Sequence, residues 1–440
     1  MASAEAASCA AAAAAALADA IAPPAIPRRE VRLQTGLPGK DDDSNEHHQL
    51  RVLTWNVLAD GLAQHGGWTH LPSPDAPALA WQQRFPRLLA EVAAARADIV
   101  CLQECNRFED AWLPAMQRLG YEGRRWRKPR SPCERYGADA DGLALFWRRG
   151  RLRLASDGGG SSSASSSPSF YFYAGAYRHL APSPAALATV EEEEGGGGGV
   201  GEGGGGGGGG AAAPEEWLEL QAASQGMIVA VLEEEEEQNP APPRRLVVAV
   251  THLKAKEGFE ARRREQAEQL CARVKETLLA EEESGGGASS STAVLVVGDF
   301  NAPPDSAAAR LVREPASDGG LGLRCIWDVP LAGEEGGEGG SNGRKQQQQH
   351  QGEELLFTTW KFRDGGDQGP PREKLETIDH IFFGGGGGGG GIGQGEQSPP
   401  PLVPLARWAA PSRGEIGCAA LPCESYPSDH VAVMCRFAWR

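Results

Sequence analysis

Several short segments share one design, in which an apolar run is followed by polar residues that can do chemistry. The polar residues of these segments are Asn56, Glu104, His252, Asp299, Asn301, Asp379, Asp429 and His430. Because polar residues at the ends of neighbouring strands meet at one edge of a sheet, we expect these side chains to lie together. Carboxylate and amide oxygens are ligands for a hard cation such as Mg²⁺. Histidines beside such a cation can stabilise charge and transfer protons, so the pattern predicts metal-assisted chemistry.

Each of these segments has a simpler structural interpretation when it is taken alone. Asn56 alone is typical of a turn, and Glu104 alone would be the first exposed residue after a buried strand. The run from Asp299 to Asn301 alone indicates an Asx turn, and a single histidine is more often structural than catalytic. All the motifs occur in one chain, however, and together they favour a site over a set of unrelated turns.

The elements that must position these residues are strands interleaved with helices. Near-continuous apolar runs, of the kind found in strands buried on both faces, occur at 51–57, 98–103, 143–147, 227–232, 246–251, 293–297, 377–383 and 431–437. Residues 81–96 have apolar positions at helical spacing. Residues 259–279 are rich in Glu, Arg, Ala and Leu and lack Pro and Gly, which favours a long helix. The chain is therefore predicted to be α/β, with sheet segments dominating.

The composition argues for a single domain, although 440 residues would allow about three at roughly 150 residues each. The chain has 59 glycines and 31 prolines, and much of the glycine lies in homopolymer runs that cannot offset the entropy of ordering. On the order of 250–290 residues remain to pack, which is enough for one sizeable core. We expect a disordered alanine-rich extension over residues 1–48 and one domain over 49–440. Low-complexity insertions are predicted near 155–215, 233–243, 281–292, 331–354 and 384–400.

The formal net charge of −16 does not exclude an anionic substrate, because much of the acid lies in glutamate runs such as 191–194 and 233–237. The nine cysteines are scattered and form no CxxC motif, which argues against a disulfide framework or a zinc site. No apolar run approaches the ~18 residues of a membrane span. A cytoplasmic protein is expected. The alanine tract at 10–16 leaves a mitochondrial or plastid transit peptide as an alternative.

The order of motifs along the chain resembles a known superfamily. The succession WN, LQE, THLK, GDFNAPPDS, IDH and YPSDH is similar to that of the endonuclease/exonuclease/phosphatase superfamily, which has the DNase I-like fold. Segments such as RVLTWNVLADGL, KPRSPCERYGADADGLALFW and FTTWKFR resemble its nocturnin-like and poly(A) deadenylase-related branch. The resemblance covers roughly residues 50–438 without the insertions. It implies a four-layer α/β sandwich of two packed mixed β-sheets flanked by helices.

The resemblance also implies a role for each polar residue. Glu104 would be the main Mg²⁺ ligand, and Mn²⁺ is an alternative metal. Asn56 would lie close to the metal, and Asp429 would support the metal or its water. Asp299 would orient or deprotonate the attacking water, and Asn301 would bind the phosphoryl oxygens. His252 and His430 would stabilise the charge that develops at phosphorus, and Asp379 would pair with His430. In-line attack of water on a phosphate needs such a metal, a positioned nucleophile and donors aimed at the oxygens.

Basic residues around the motifs bear on the choice of phosphate. By the resemblance, Lys128, Lys254, Lys256 and Arg363, together with Asn56, would bind the substrate. A nocturnin-like protein would remove the 2′-phosphate of NADP(H) and give NAD(H). Lys256 stands where that branch usually has arginine, and a lysine keeps the charge but loses the bidentate fork.

Two alternatives belong to other functional classes. A 3′-5′ exoribonuclease acting on the poly(A) 3′ end of RNA would need an extended groove with aromatic side chains on which bases stack. Trp55 and Trp147 lie in strand segments, however, and are expected to be core or pocket wall. A catalytically silent nucleotide-binding or scaffold protein is disfavoured by the intact set of Glu104, Asp299, Asn301 and His430. Protein partners are not indicated by the sequence.

Overall fold

Two β-sheets that pack face to face form the centre of the protein. The computed structural model describes residues 21–34, 48–73, 76–155, 172–177, 225–235, 243–283, 292–332, 356–363, 372–385 and 401–440. Side chains from both sheets, including Val52, Leu145, Val248 and Leu295, form one buried core between them. The alternate residues of these strands point outward, where helices cover them, so strands buried on both faces read as continuous apolar runs.

The first sheet carries one half of the polar strand ends. Its strands are β1 (Glu30–Arg32), β2 (Gln49–Asn56), β3 (Ile99–Gln103), β4 (Tyr121–Arg127), β5 (Gly142–Arg148), β15 (Leu402–Trp408) and β16 (Val433–Trp439). Their spatial order is β1-β15-β16-β2-β3-β5-β4. Only β2 and β3 pair in parallel among the described pairs of this sheet, so both deliver their last residues to the same edge.

The second sheet carries the other half. Its strands are β6 (Leu152–Leu154), β7 (Phe172–Ala176), β8 (Gly226–Glu234), β9 (Arg245–His252), β10 (Ala293–Asp299), β11 (Arg324–Cys325) and β14 (Asp379–Gly385). The order is β11-β14-β10-β9-β8-β6, and β7 also pairs with β8. β9 and β10 are parallel, whereas β10 and β14 are antiparallel. A separate hairpin is formed by β12 (Thr359–Arg363) and β13 (Arg372–Glu376).

Helices cover the outer faces of the two sheets and complete four layers. The α-helices are α1 (Asp60–His65), α2 (Trp81–Ala95), α3 (Leu113–Arg118), α4 (Glu260–Glu283), α5 (Ala307–Arg313) and α6 (Arg413–Ile416). Leu88 of α2 packs on the first sheet, and Leu270 of α4 packs on the second. Short 3₁₀ turns occur at Pro77–Leu79, Pro132–Tyr136, Ala316–Asp318 and Ile326–Asp328, and a π turn at Phe108–Trp112. The predicted four-layer α/β architecture is confirmed.

The N-terminal boundary differs from the prediction of a disordered extension up to residue 48. Residues 21–34 are packed on the domain, and β1 pairs with the edge strand β15. Ile26 is buried in the core, and the buried Arg28 guanidinium lies 2.9 Å from the Glu91 carboxylate. The predicted extension over residues 1–48 therefore includes a packed segment at residues 21–34. Its strand of three residues is too short to be recognised from the sequence. Residues 1–20 lie outside the described part.

Among the described residues of the predicted insertions, β7 is a strand that the sequence analysis missed. β7 lies within the insertion predicted at 155–215, and its aromatic composition suits a strand. The remaining parts of the predicted insertions fall largely outside the described residues, so their character stays a prediction. The single domain over 49–440 likewise stays a prediction. In the described part of the chain, no helix is both long and apolar enough to cross a membrane.

Candidate active site

The polar strand ends converge where the edges of the two sheets meet. In the second sheet, Asp299 at the end of β10 lies beside His252 of β9 on one side and Asp379 of β14 on the other. In the first sheet, Asn56 at the end of β2 lies beside the last residue of β3, which Glu104 follows. Strand register thus places these residues, as the sequence predicted.

Asn56 connects the two sheets through its side-chain amide. Its Nδ2 atom donates to Glu104 Oε1 at 3.1 Å and to Asp299 Oδ2 at 3.0 Å. Its Oδ1 atom accepts from the backbone N–H of Leu58 at 3.1 Å, which fixes the orientation of the amide. In this orientation the amide nitrogen lies between two carboxylates and holds both of them. The predicted metal and substrate contacts of Asn56 stay predictions.

Asp299 is the hub of the site and is almost completely buried. Its Oδ2 atom lies 3.5 Å from His252 Nε2 and 3.8 Å from His430 Nε2. Its Oδ1 atom accepts from the backbone N–H of Asn301 at 2.8 Å, which is the Asx turn that the sequence allowed as a simpler interpretation. Asn301 adopts a left-handed backbone with φ 48°, and its Nδ2 donates to the carbonyl of Leu253 at 3.0 Å. The turn and the site are therefore the same structure.

His430 is held as a cation by two carboxylates. Its Nδ1 atom lies 2.9 Å from Asp379 Oδ2, so the structure brings the predicted pair together. Burial alone would lower the pKa of His430, but the carboxylates of Asp379 and Asp299 raise it to about 9. Asp379 is itself held by Thr358, whose hydroxyl accepts from the backbone N–H of Asp379 at 3.1 Å. An imidazolium is thus present at neutral pH.

His252, unlike His430, is neutral. Burial lowers the pKa of His252 to about 4, although the Asp299 carboxylate opposes this shift, and the Lys128 ammonium adds to the lowering. The imidazole is therefore neutral at physiological pH. Asp299 thus faces one cationic and one neutral histidine, which is a suitable arrangement for proton transfer and charge stabilisation at one point.

Lys361 is a site residue beyond the substrate-binding residues predicted from the sequence. Its Nζ atom lies 2.7 Å from Asp429 Oδ2 and 3.4 Å from His430 Nε2. The sequence analysis selected Arg363 instead, which ends β12 and whose side chain lies outside the described part. Residues two apart on a strand share one face, so the pattern WKFR could have indicated either residue. Asp429, predicted to support the metal, pairs with Lys361 here.

Lys128 lies in a buried polar cluster behind Glu104. Its Nζ atom is 2.7 Å from Asp141 Oδ2, and Asp141 Oδ1 accepts from the Ser131 hydroxyl at 2.5 Å. Burial opposes the charged form, but the carboxylates of Asp141 and Glu104 raise the pKa of Lys128. Lys128 does not line the pocket described below. Its ammonium can therefore act on a substrate in the pocket through its positive charge rather than by direct contact. Sequence reasoning missed Asp141, whose only signal is its place just before β5.

The two lysines after His252 flank the pocket. The ammonium of Lys254 lies 4.9 Å from the centre of the Phe259 ring, and the side chain of Lys256 is exposed. Arg263 of α4 fixes this loop by donating to the carbonyl oxygens of Lys254 and Lys256 at 2.9 and 2.8 Å. Neither lysine lines the pocket, whereas Ala255 between them does. Their predicted contacts with substrate stay predictions.

A pocket of about 270 Å³ opens over these residues. Its lining consists of Leu58, Leu62, His65, Gly66, Glu104, His252, Ala255, Asp299, Asn301, Lys361, Asp429 and His430. Most of the predicted catalytic residues therefore face one small volume. Asp379 is not among the lining residues and contacts His430, which is.

The donor atoms around the pocket suit a hard metal ion. Asp299 and Asp379 have carboxylate oxygens within 4.8 Å of each other, and a ring nitrogen of His430 lies within the same distance. As an imidazolium, His430 has no lone pair for a metal, so the carboxylates are the ligand candidates of this group. Within the described residues, Asp379 Oδ1 is buried and has no hydrogen-bond partner. Glu104, the predicted main ligand, lines the same pocket, and the Asn56 amide donates to both Glu104 and Asp299. This oxygen-rich set fits a divalent cation, and the assignment of Glu104, Asn56 and Asp429 as its ligands stays a prediction.

Arg84 fixes the backbone on which the site is built, and the sequence analysis did not identify it. This buried side chain donates from Nε to the carbonyl of Pro427 at 2.7 Å and from Nη2 to the carbonyls of Val57, at 2.7 Å, and Leu58. Burial lowers the pKa of Arg84 to about 10, although nearby carboxylates oppose the shift. A signal was available, since Arg84 lies on the apolar face of α2, three residues after Trp81.

Comparison with known proteins gives one family model and several relatives that match this chain. The model of the Endonuclease/Exonuclease/phosphatase family matches residues 53–430. Nocturnin of Mus musculus is 37% identical over 136 residues, which are 30% of this chain and 30% of the mouse protein. The CCR4-Not complex 3'-5'-exoribonuclease subunit Ccr4 of Neurospora crassa is 30% identical over 129 residues, covering 28% of this chain and 15% of Ccr4. The chain thus matches less than a third of either relative's length.

A solved structure has the same fold. The catalytic domain of human nocturnin with a bound sulfate anion superposes with a TM-score of 0.54 at 22% sequence identity. The superposition covers 95% of this chain and 99% of that domain. It supports the architecture of two packed sheets flanked by helices.

Proposed function

The chain belongs to the endonuclease/exonuclease/phosphatase family, and on this premise we propose that it is an Mg²⁺-dependent phosphoester hydrolase that removes the 2′-phosphate of NADP(H). The observation that carries the proposal is the position of Asp299 between a cationic and a neutral histidine. This arrangement can position a water molecule and stabilise the negative charge of a phosphoryl group in one small pocket.

The residues of the pocket divide the work of hydrolysis. Asp299 orients the attacking water and accepts its proton, because its Oδ2 atom faces the pocket and both imidazoles. His430, held through Nδ1 by Asp379, presents Nε2–H to the phosphoryl oxygens and offsets their charge. His252 and Asn301 add neutral polar groups to the same pocket.

A divalent cation would be held at the oxygen-rich side of the pocket. Glu104 is the best-placed carboxylate for this role, because it lines the pocket and shares the Asn56 amide with Asp299. When bound, Mg²⁺, or Mn²⁺ in its place, would act as a Lewis acid on the phosphoryl oxygens. Lys361 adds a further positive charge to the lining, and Lys128 contributes from behind Glu104.

The size of the pocket supports a compact nucleotide as the substrate. A volume of about 270 Å³ accommodates a phosphate with part of a nucleoside, whereas a polynucleotide needs an extended groove. The similarity to Ccr4, named as a 3′-5′ exoribonuclease, nevertheless favours poly(A) RNA 3′ ends as a second candidate substrate.

The proposal is tested by offering both substrates to one preparation of the full chain with Mg²⁺. We expect phosphate release from NADP⁺ with formation of NAD⁺, and loss of this activity in Glu104→Ala. Shortening of 3′-poly(A) RNA without phosphate release from NADP⁺ would replace the proposal with the exoribonuclease. A folded protein that turns over neither substrate would support the silent binding protein and overturn both.

A further inference from the structure

The pocket has two halves of different chemistry. One half carries the charged and polar groups used in hydrolysis. The other half is formed by α1 and its flanks, and it contributes Leu58, Leu62, His65 and Gly66. The proposed hydrolysis uses none of these four residues. A ligand that fills the whole pocket must therefore present a phosphate to one half and an apolar or ring-shaped group to the other.

An exposed pair of aromatic rings continues the second half outward. The rings of His65 and Tyr136 are stacked, with their centres 3.9 Å apart and their planes 13° apart. Tyr136 is 46% exposed, and in the described part of the chain it is the only aromatic side chain among the exposed large hydrophobic residues. Aromatic rings provide faces on which a planar ligand group can stack. The stack thus presents flat ring surface next to the phosphate-binding half.

Both rings stand on fixed supports. Tyr136 is the last residue of the 3₁₀ turn Pro132–Tyr136, and Ser131 caps the start of this turn in a capping box. The Ser131 hydroxyl donates a hydrogen bond to the buried Asp141. The half of the pocket formed by Leu58, Leu62, His65 and Gly66 is called the α1 wall below. Behind this wall, the Trp68 indole donates to the carbonyl of Ala63 at 2.6 Å. A Cβ atom at Gly66 would lie 2.5 Å from the Trp68 ring, so glycine permits this close packing. The wall is therefore formed before any ligand binds.

We propose that the α1 wall and the His65–Tyr136 ring pair bind the nucleobase of the substrate. A nucleotide has the required shape, because one molecule joins a phosphate to a flat ring with polar edges. Bases stack on aromatic side chains irrespective of sequence, and the imidazole and phenol edges can also accept or donate hydrogen bonds. The proposal rests on the proposed function for the location of the phosphate, and it adds where the base is bound.

The test compares two phosphate esters that differ in the base. Dissociation constants of adenosine 2′-phosphate and glycerol 2-phosphate are measured with Mg²⁺ in an Asp299→Asn background, where hydrolysis is expected to be about 10²- to 10⁴-fold slower. We expect adenosine 2′-phosphate to bind more tightly. The ratio to be compared is the dissociation constant of glycerol 2-phosphate divided by that of adenosine 2′-phosphate. Tyr136→Ala or His65→Ala should reduce this ratio about five- to tenfold. Tyr136→Phe should keep the ratio because it keeps the ring. Leu279→Ala, an exposed residue on α4, is the control.

The proposal is overturned if adenosine 2′-phosphate binds no better than glycerol 2-phosphate, or if both alanine variants leave the ratio unchanged. Should Asp299→Asn not fold, the same measurements are made in a His252→Asn background. The outcome is separate from that of the proposed function, which depends on phosphate release from NADP⁺ by the unmodified chain. A protein that hydrolyses NADP⁺ but keeps its ratio in Tyr136→Ala would retain the function and lose the base site.

Discussion

Asp379 Oδ2 lies 2.9 Å from Nδ1 of His430, and this contact sets the charge of the histidine that faces the pocket. Asp379 begins β14 in the second sheet, whereas His430 precedes β16 in the first sheet. The pair therefore also ties the two sheets together at the edge where the site lies. Removing the carboxylate changes the protonation of His430 and not only its orientation.

The pH dependence of activity follows from this contact. The pKa of His430 is raised to about 9, so we expect the cationic, active form to be lost as the pH rises through about 9. Asp379→Asn removes the main raising charge while keeping the size of the side chain. The alkaline limb of kcat/KM should then move toward neutral pH by one unit or more. A limb that stays in place in Asp379→Asn would show that His430 does not act as a cation.

His252 makes the stability of the fold depend on pH in the acidic range. Its pKa is lowered to about 4 in the folded protein, below the value of about 6.5 expected in the unfolded chain. The unfolded chain therefore binds a proton first, and the free energy of unfolding falls as the pH drops from about 6.5 to 4. We expect a decrease of ~1–3 kcal/mol from this residue. Urea unfolding at pH 7 and pH 4.5 should show a smaller decrease in His252→Asn than in the unmodified chain.

Arg84 is expected to be a positioning residue rather than a catalytic one. Lysine at this position keeps the charge but cannot serve all the carbonyls that Arg84 contacts, in the segments after Asn56 and before Asp429. Arg84→Lys should lower the free energy of unfolding by about 2–4 kcal/mol. It should also raise the Mg²⁺ concentration needed for half-maximal activity. The matched control is Arg264→Lys on the exposed face of α4, where we expect neither effect.

Lys361 is expected to bind the phosphate. Lys361→Gln removes the ammonium beside Asp429 and His430, so KM for NADP⁺ should rise at least about tenfold while the protein stays folded. Lys374 is directly opposite Lys361 in the β12–β13 hairpin and pairs with Glu376, which makes Lys374→Gln a control in the same element. Equal values of KM in the two variants would assign phosphate binding to other residues.

The sequence predicted the fold and half of the pocket lining, because strand register positions these residues. Apolar runs fix which strands are buried, and the polar residue at each strand end then has one place to go. Asp299 illustrates this, since its neighbours His252 and Asp379 are its direct partners across β9 and β14. The roles inferred from the family resemblance are compatible with these positions and await the experiments above.

The remainder depended on tertiary contacts that the sequence does not specify. Arg84 lies on the apolar face of α2, but the sequence identifies neither its carbonyl partners nor the lysine that Asp141 contacts. Lys361 and Arg363 are equivalent in an alternating pattern, and only the tertiary structure brings Lys361 to Asp429. The strand β1 was missed because three residues are too few for a periodic pattern.

The most direct test of the central claim is hydrolysis of NADP⁺ in water enriched in ¹⁸O. If Asp299 directs water to phosphorus, one ¹⁸O atom enters each released phosphate, and NAD⁺ carries no label. Asp299→Asn should reduce the rate about 10²- to 10⁴-fold. Label in the 2′-hydroxyl of NAD⁺, or an Asp299→Asn rate close to that of the unmodified chain, would contradict the account.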